Sequence, residues 1–565
     1  MSGIEPEGTS NRLAPPLVVG GLVLLAVFAY TWNVEVMALW GDEAIRGLVS
    51  LEMLLTGEYI VPHKGGEYYY DKPPLYNWFL SQVFRFTGRY DEWIIRLPGL
   101  AGFALMALTI YAVGRREISR RAGLFGAFAY LAGIRILSYD SMLGHIDPLY
   151  SWLTFGSFLV IYYGRKHERW WLLFTVSWLL CAVGYLLKAM PSLLFQVLTL
   201  VVWLYDVRHL RWLRRFGLRR VAAGRPGPVL KMAWRGLHRL ICWPNAVGVL
   251  LFLIPVGGYF YLYSEAHSLR LYILNLWDQS AQRTVSQHSA WDTVLHLLTF
   301  PLDVLAQLAP FSLLLVPGLR RSSLLLIHGS PFLRFCLVVL LVNLPAYWLS
   351  PGTYPRYLFM LYPLVLLLIA AAGFAAYSTG SPWVRRVEGL LLGVVAVLGV
   401  AYWFPVVAPE FQTAGWVAVA IGCTVLHAGL LGLWWRTAID RWLLVAGVLF
   451  VLRLLFDFHA IPHRAVNSPE GRSKAAGLRV VELSGSEPVA SYAWTPVNDY
   501  TRYYISSRKQ QVMPRIETAQ PDYWLIVDEN LLYQVGRQPV DSFRIRSHES
   551  MFYVCPPIRT PGKQP

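Results

Sequence analysis

About thirteen long apolar runs divide this chain, each close to the roughly 20 residues that a helix needs to cross the hydrocarbon of a bilayer. They fall near 15–33, 93–114, 122–138, 146–163, 170–187, 189–205, 243–263, 301–318, 331–348, 357–377, 387–404, 412–433 and 441–457. Pro301, Asp303, Gln307 and Pro310 interrupt the eighth. A chain patterned this way is predicted to be an all-α polytopic membrane protein. Composition agrees: of 565 residues, 55% are hydrophobic and 15% charged, against about 25% charged in soluble domains. The chain is too apolar for disorder, and its 5 Cys make no disulfide scaffold. Residues 1–14 hold acids as well as Arg12 and lead into no A-x-A-like site, so a cleavable signal peptide is not expected.

The formal charge of +16 raises the question of nucleic acid, and its distribution answers against it. Basic residues gather in short loops between apolar runs: Arg115, Arg116, Arg120 and Arg121, then Arg165, Lys166 and Arg169. The longest such loop runs from Arg208 to Arg239. Retention of Lys and Arg in the cytoplasm during insertion produces this bias, so no nucleic-acid partner is expected. With the N-terminus inside, these loops and the Arg320/Arg321, Arg385/Arg386 and Arg436/Arg441 pairs are cytoplasmic. The long loop 34–92, the loops near 139–145, 264–300 and 349–356, and the C-terminus then face outward.

Two domains follow: a transmembrane domain over 1–457 and an extracytoplasmic α/β domain over 458–565. The second is polar and carries short strand-like runs, "EPVASYAW", "DYWLIVDE", "SFRIRSH" and "MFYVCPP", separated by turn residues. Cys555 is alone there, so no disulfide can form within it.

Ionisable groups at membrane depth cost roughly 2.5–3.5 kcal/mol each and need a reason. Asp42 and Glu43 directly follow the first run, and the next segment has the pattern of an amphipathic helix on the membrane surface. Ile45, Leu48 and Val49 form one side, with Arg46 and Glu52 away from them. Spacing alone favours Asp42 as a helix cap, which is compatible with a role in chemistry. In "YYYDKPPLYNW", the prolines fix Lys72 in an extended approach and start a helix. Aromatic residues such as Tyr70 are ordinary at an interface, but an Asp71–Lys72 pair ahead of Pro-Pro is not. A cation there suits an anionic lipid headgroup. Asp147 opens the fourth run as another plausible cap, Lys188 lies between two runs where snorkelling is the plain explanation, and Arg356 stands at the outer end of the tenth. Arg270 and Arg283 share an external loop with His267 and His288, whose separation is a poor metal signal. The topology derived from charge puts Asp42, Asp71, Lys72, Asp147, Lys188, Arg283 and Arg356 on one side, as a single outer site requires.

The first loop, "GDEA…LEMLLTGEYIVPHKGGEYYYDKPPLYNW", resembles that of membrane glycosyltransferases using polyprenyl-phosphate sugars. The nearest branch is the bacterial lipid A aminoarabinose transferase-like group, related to protein O-mannosyltransferases. Asp42-Glu43, Asp71-Lys72-Pro73-Pro74, Asp147, Lys188 with Pro191, and Arg356-Tyr357-Leu358 carry the resemblance. The family's Lys-Gly-Pro turn is Lys-Ala-Met-Pro here, and the Trp-Trp-Asp signature of oligosaccharyltransferases is absent. The resemblance implies thirteen spans with a periplasmic α/β domain, in a bacterial inner membrane. It also implies transfer of a sugar, with inversion, to a lipid, glycan or protein acceptor. Lys72, with Arg283 or Arg270 and Arg356, would hold the donor phosphate, and Asp42 would take a proton from an acceptor hydroxyl. An acceptor phosphate would need no proton removal, leaving Asp42 to orient it. Asp147 joins Asp42 and Lys72 as a catalytic candidate, while Glu43, Asp71, Tyr70, Lys188 and Tyr357 are candidates for substrate contact. No cofactor or metal site is read from the sequence, although a divalent ion is compatible with it. A transporter or flippase is the rival class, which inverted repeats would favour, and no matching halves are seen.

Overall fold

The computed structural model describes residues 15–204, 240–281, 289–436, 440–544 and 551–558. The Arg208–Arg239 loop and the segment containing Arg283 and His288 lie outside the described residues. Seven described helices are long and apolar enough to cross a membrane: Glu92–Glu117, Trp170–Lys188, Trp243–Ala266, Pro331–Trp348, Pro382–Val406, Trp416–Trp434 and Arg441–Asn467. An eighth is added if Trp291–Gln307 and Phe311–Gly318, bent by 102° at the interruption around Pro310, form one broken span. Pro16–Thr31, Met190–Trp203 and Tyr362–Ser378 are apolar but shorter. The protein is thus a mostly helical multi-pass membrane protein with 7 to 8 candidate spans.

The shortfall from thirteen has local causes. The run at 122–138 is cut by extended backbone at Gly133 into the helices Arg120–Ala132 and Ile134–Ser138. The helix Asp147–Lys166 is long enough but less apolar, because it binds its neighbours through polar groups. Ser157 donates to Gln196 at 2.8 Å, and Gln196 donates to Ser177 at 2.8 Å, so this buried polar chain is satisfied between helices. Helices Glu92–Glu117 and Arg120–Ala132 cross at Gly114 and Gly123, where a Cβ on Gly114 would lie 2.7 Å from the facing Cα. One continuous apolar core ties these helices together.

The first long loop folds onto this bundle. It contains the helix Asp42–Thr56, a hairpin of β1 (His63–Lys64) and β2 (Glu67–Tyr68), and the helix Leu75–Thr87, which follows Pro73-Pro74 as predicted. The Asp42–Thr56 helix forms but does not lie on an open surface. Arg46 and Glu52, expected to face outward, are buried. Arg46 donates to the Tyr69 hydroxyl, and Glu52 accepts the Gly65 and Gly66 N–H groups at 2.6 and 3.1 Å.

The last span continues to Asn467 instead of ending at 457, and Ser468 caps the next helix, Pro469–Ser484. Beyond it stands a mixed five-stranded sheet: β3 (Val489–Tyr492), β4 (Arg515–Ile516), β5 (Trp524–Asp528), β6 (Asp541–Arg544) and β7 (Met551–Cys555), in the order β4-β3-β5-β7-β6. Strand β3 pairs in parallel with β4 and β5, and β7 runs antiparallel to β5 and β6. Four strands coincide with the strand-like runs; the two-residue β4 does not. Cys555 is a buried free thiol. The helix Asp499–Lys509 docks this region on the membrane domain. Tyr503 donates to the Tyr90 carbonyl at 2.6 Å, and Lys474 of the neighbouring helix pairs with Glu92 at 2.6 Å.

Candidate active site

Four separate stretches converge beside the first loop. Asp42 opens its helix, but Gly41 holds the cap position and the Asp42 carboxylate accepts from Arg356 Nη2 at 2.9 Å. Asp147 likewise opens its helix without capping it, because Ile146 precedes it as cap and the carboxylate turns inward. There it accepts from Lys188 Nζ and lies 3.6 Å from Arg356 Nε. Lys188 ends the Trp170–Lys188 helix, where Ala189 adopts φ +62° and breaks the chain direction before Met190–Leu204 begins. Its ammonium lies 4.1 Å from the Tyr357 ring centroid and 5.1 Å from that of Tyr150. Arg356 and Tyr357 come from the short 3-10 turn Pro355–Leu358. The cap readings of both aspartates are therefore replaced by ion pairs: Asp147 faces the largely buried Lys188 and Arg356, and the more exposed Asp42 faces Arg356 alone.

Asp71 and Lys72 face this cluster from the Pro-Pro turn. A helix some 200 residues away in sequence, Leu269–Ala281, grips both of them. Asn275 donates to Asp71 at 3.2 Å, and Gln279 accepts from Lys72 at 3.2 Å. The two amides are four residues apart, hence on one face of that helix.

Asp42, Arg46, Asp71, Lys72, His145, Asp147, Lys188 and Arg356 line a polar pocket of about 210 Å³. It shares Asp71, Lys72, Lys188, Gln279 and Tyr357 with a larger cavity of about 840 Å³. The larger one is walled by apolar groups including Leu193, Leu194, Val197, Leu276 and Pro345. A long apolar groove thus ends at a chamber with four cations and three carboxylates, with Lys72 and Lys188 at the boundary.

His145 and Arg46 are additions that the sequence did not single out. The His145 Nε2 lies 3.3 Å from Arg356 Nη1 and accepts from it, so its proton belongs on Nδ1, 3.9 Å from Asp140 Oδ1. Burial first, and Arg356 second, push the imidazole down to about 4, so it is neutral at pH 7. Burial pushes Asp140 up to about 6, although Arg135 at 2.7 Å opposes this. Burial alone would lower Arg356, but the Asp147 and Asp42 carboxylates outweigh it and raise it above its ordinary value.

Several expected contacts lie elsewhere. Glu43 is fully buried against Arg96, at 2.8 and 3.2 Å, and accepts the Trp40 N–H at 3.1 Å, so it braces the loop and does not line the pocket. Tyr70 is 2.7 Å from His267 Nε2, outside both cavities. Arg270 is exposed on its helix and lines neither cavity. Arg283 falls outside the described residues. Among the described residues, no group of three or more His, Cys, Asp or Glu is placed to hold a metal ion.

Residues 71–222 match the family of dolichyl-phosphate-mannose-protein mannosyltransferases. An uncharacterized protein of Aquifex aeolicus is 26% identical over 193 residues, 34% of this chain and 43% of that one. The undecaprenyl phosphate-α-4-amino-4-deoxy-L-arabinose arabinosyl transferase of Yersinia enterocolitica is 30% identical over 140 residues, 24% of this chain and 25% of its own. The chain therefore aligns with less than half the length of these curated relatives. In three dimensions the likeness is longer. ArnT from Cupriavidus metallidurans bound to undecaprenyl phosphate superposes with a TM-score of 0.66 at 18% identity, covering 96% of this chain and 98% of that one. Its apo form gives 0.62 at 17% identity, covering 95% and 97%. The resemblance read from the first loop thus holds at two levels: the chain carries the sequence pattern of the dolichyl-phosphate-mannose-protein mannosyltransferase family over residues 71–222 and, over nearly its whole length, the fold of ArnT.

Proposed function

We propose that this protein transfers a sugar from a polyprenyl-phosphate carrier to an envelope acceptor. The observation that carries this reading is the junction of an apolar groove with a cation-rich chamber at Lys72, inside the region matching the mannosyltransferase family. A polyprenyl tail fits the groove, its phosphate meets Lys72 and Lys188 at the boundary, and the sugar enters the polar chamber. The donor is a phosphodiester with one negative charge, and the leaving phosphate gains a second when the glycosidic bond breaks. Fixed cations at that position therefore stabilise the transition state more than the bound donor. Lys72 is placed for this by its position in the Pro-Pro turn, where it lines both the groove and the chamber. Lys188 and Arg356 are already engaged with Asp147, and they keep the chamber positive while fixing that carboxylate for sugar hydroxyls.

Asp42 stands at the chamber's edge with its side chain more than half exposed, and it is engaged by Arg356. A carboxylate already holding a guanidinium suits orientation of an acceptor better than removal of a proton. This favours an acceptor that arrives as an anion, such as a phosphate of a lipid A-like lipid, with attack in line and inversion at the sugar carbon. The names of the aminoarabinose transferase relatives support an undecaprenyl-phosphate donor. Those names and the shared fold support transferase over transporter.

Thirteen spans remain our reading of the topology, because each apolar run has a helix, a broken helix or a helix pair in the fold. The same charge argument sets the active site and the C-terminal domain on the extracytoplasmic side of the inner membrane. The functional test presents purified protein with a panel of labelled polyprenyl-phosphate sugars and envelope lipid as acceptor. Label appearing in the lipid, with release of polyprenyl phosphate, is expected; no transfer from any donor by folded protein contradicts the proposal.

A further inference from the structure

Residues 34–41 form neither helix nor strand, yet their backbone is held from two sides. From the membrane helix Glu92–Glu117, the buried Arg96 guanidinium donates to the carbonyls of Val34, Met37 and Ala38. From the C-terminal region, the Tyr504 hydroxyl accepts the Leu39 N–H at 2.9 Å and the Tyr500 hydroxyl accepts the Gly41 N–H at 3.0 Å. The two tyrosines are four residues apart on the Asp499–Lys509 helix, so they project from one face and take alternate residues of an extended stretch. Tyr504 is itself fixed, donating to Glu92 at 2.7 Å, the carboxylate that also pairs with Lys474. Gly41 adopts φ +61°, a left-handed conformation that suits glycine, and the next residue is Asp42, whose carboxylate meets Arg356 in the chamber. Each polar group of this stretch that a side chain holds lies within eight residues of that carboxylate.

We propose that Tyr500 and Tyr504 are positioning residues for Asp42: the C-terminal domain fixes the backbone at 39–41 and, through it, the place of the Asp42 carboxylate against Arg356. This rests on the reading of the chamber as the transfer site. It makes the C-terminal domain a part of the active site that touches no substrate. Toward the chamber the tyrosine hydroxyls act through two backbone N–H groups, and the one further contact described for them, Tyr504 to Glu92, lies outside both cavities, so removing them leaves the groups that line the chamber in place.

The test uses the full-length protein and the variants Tyr500→Phe, Tyr504→Phe and the pair, each losing a hydroxyl and keeping its ring. Hydrogen exchange at the Leu39 and Gly41 amides is expected to accelerate by about tenfold or more, the loss of one hydrogen bond's worth of protection, with the spanning helices unchanged. In the transfer assay, kcat of the double variant is expected to fall about tenfold, while the donor KM stays within about twofold. Should Tyr504→Phe fail to fold, Tyr500→Phe carries the test, because Tyr500 is only half-buried and its hydroxyl serves Gly41 alone in the contacts described. Unchanged exchange at residues 39–41 overturns the proposal whatever the activity. Faster exchange with unchanged kcat overturns it as well, as does a raised KM with kcat intact. Absence of transfer by the wild type overturns the functional reading and the positioning role with it, whereas transfer by the wild type with unaltered variants removes only the positioning role.

Discussion

Arg356 joins the chamber together, because its one guanidinium meets Asp42, Asp147 and His145. Arg356→Ala leaves Asp147, largely buried, with Lys188 as its remaining cation, so the loss stays below the about 3–5 kcal/mol of a buried charge left with no partner. A fall in the melting temperature together with lost transfer is expected. Arg356→Lys, which keeps the charge but not the fork, should restore stability better than activity. Asp42→Asn separates the acceptor classes: a modest loss of kcat fits an anionic acceptor, and a loss of about a hundredfold or more identifies a hydroxyl acceptor needing a base. The His145 imidazole adds a pH signature. Its folded value lies below its ordinary one, so its contribution to stability is full above about 6.5 and is lost as the pH falls toward about 4. Asp140 works oppositely in nearly the same window: raised to about 6, it contributes stability below its ordinary 3.8 that is lost as the pH rises through 6. His145→Gln should therefore flatten the loss of thermal stability between pH 6.5 and 4, and a melting series against pH checks this; an unchanged acid limb contradicts it.

Among the elements, the Asp42–Thr56 helix shows what a local pattern can and cannot reveal. Its existence, its start after the first span and its apolar side were legible, and so was the Pro-Pro turn that presents Asp71 and Lys72. Its environment was not. Arg46 and Glu52 look like a solvated face in the sequence, but Tyr69 and the hairpin turn at Gly65-Gly66 fold back to engage them, and the helix Asp499–Lys509 covers a further side at Gly47, where a Cβ would sit 2.8 Å from the Tyr503 ring. No periodicity within the loop records a cover that comes from 450 residues further along the chain. The same holds for Asn275 and Gln279, ordinary amides on a separate helix that gain meaning only because they face Asp71 and Lys72. Glu43 was legible as an unusual acid, but not as the partner of Arg96, which itself looked like part of a span. Glu52→Ala removes the acceptor for two backbone N–H groups of the hairpin turn at Gly65-Gly66. A loss of about 1–3 kcal/mol is expected from such orphaned donors, read as a lower unfolding midpoint. A change within error would show that water replaces the carboxylate.

At the level of the whole molecule, the proposed topology has to satisfy both the charge pattern and the fold. The cation-rich chamber and the C-terminal sheet lie together, joined through Lys474–Glu92 and Tyr503–Tyr90. The proposed topology therefore puts both on the same side of the membrane and, from the distribution of basic loops, Arg321 on the opposite side. In a Cys242→Ser background, an impermeant maleimide applied to spheroplasts should label Tyr533→Cys, an 80% exposed position on the C-terminal domain, and spare Arg321→Cys. Labelling with the reverse pattern would invert the topology. The span count was the least legible large-scale feature, because an apolar run can be divided by a break such as Gly133, and a helix as long as Asp147–Lys166 can carry polar groups that lower its hydropathy. The proposed transfer turns on a narrower point than the topology: a lipid-linked sugar donor meets Lys72 where groove and chamber join. It is tested most directly by comparing transfer from the active polyprenyl-phosphate donor by wild type and Lys72→Ala, with melting temperatures measured on the same preparations. The variant is expected to melt with the wild type and to lose transfer by about a hundredfold or more; near-normal turnover in a folded Lys72→Ala would remove Lys72 from the donor site.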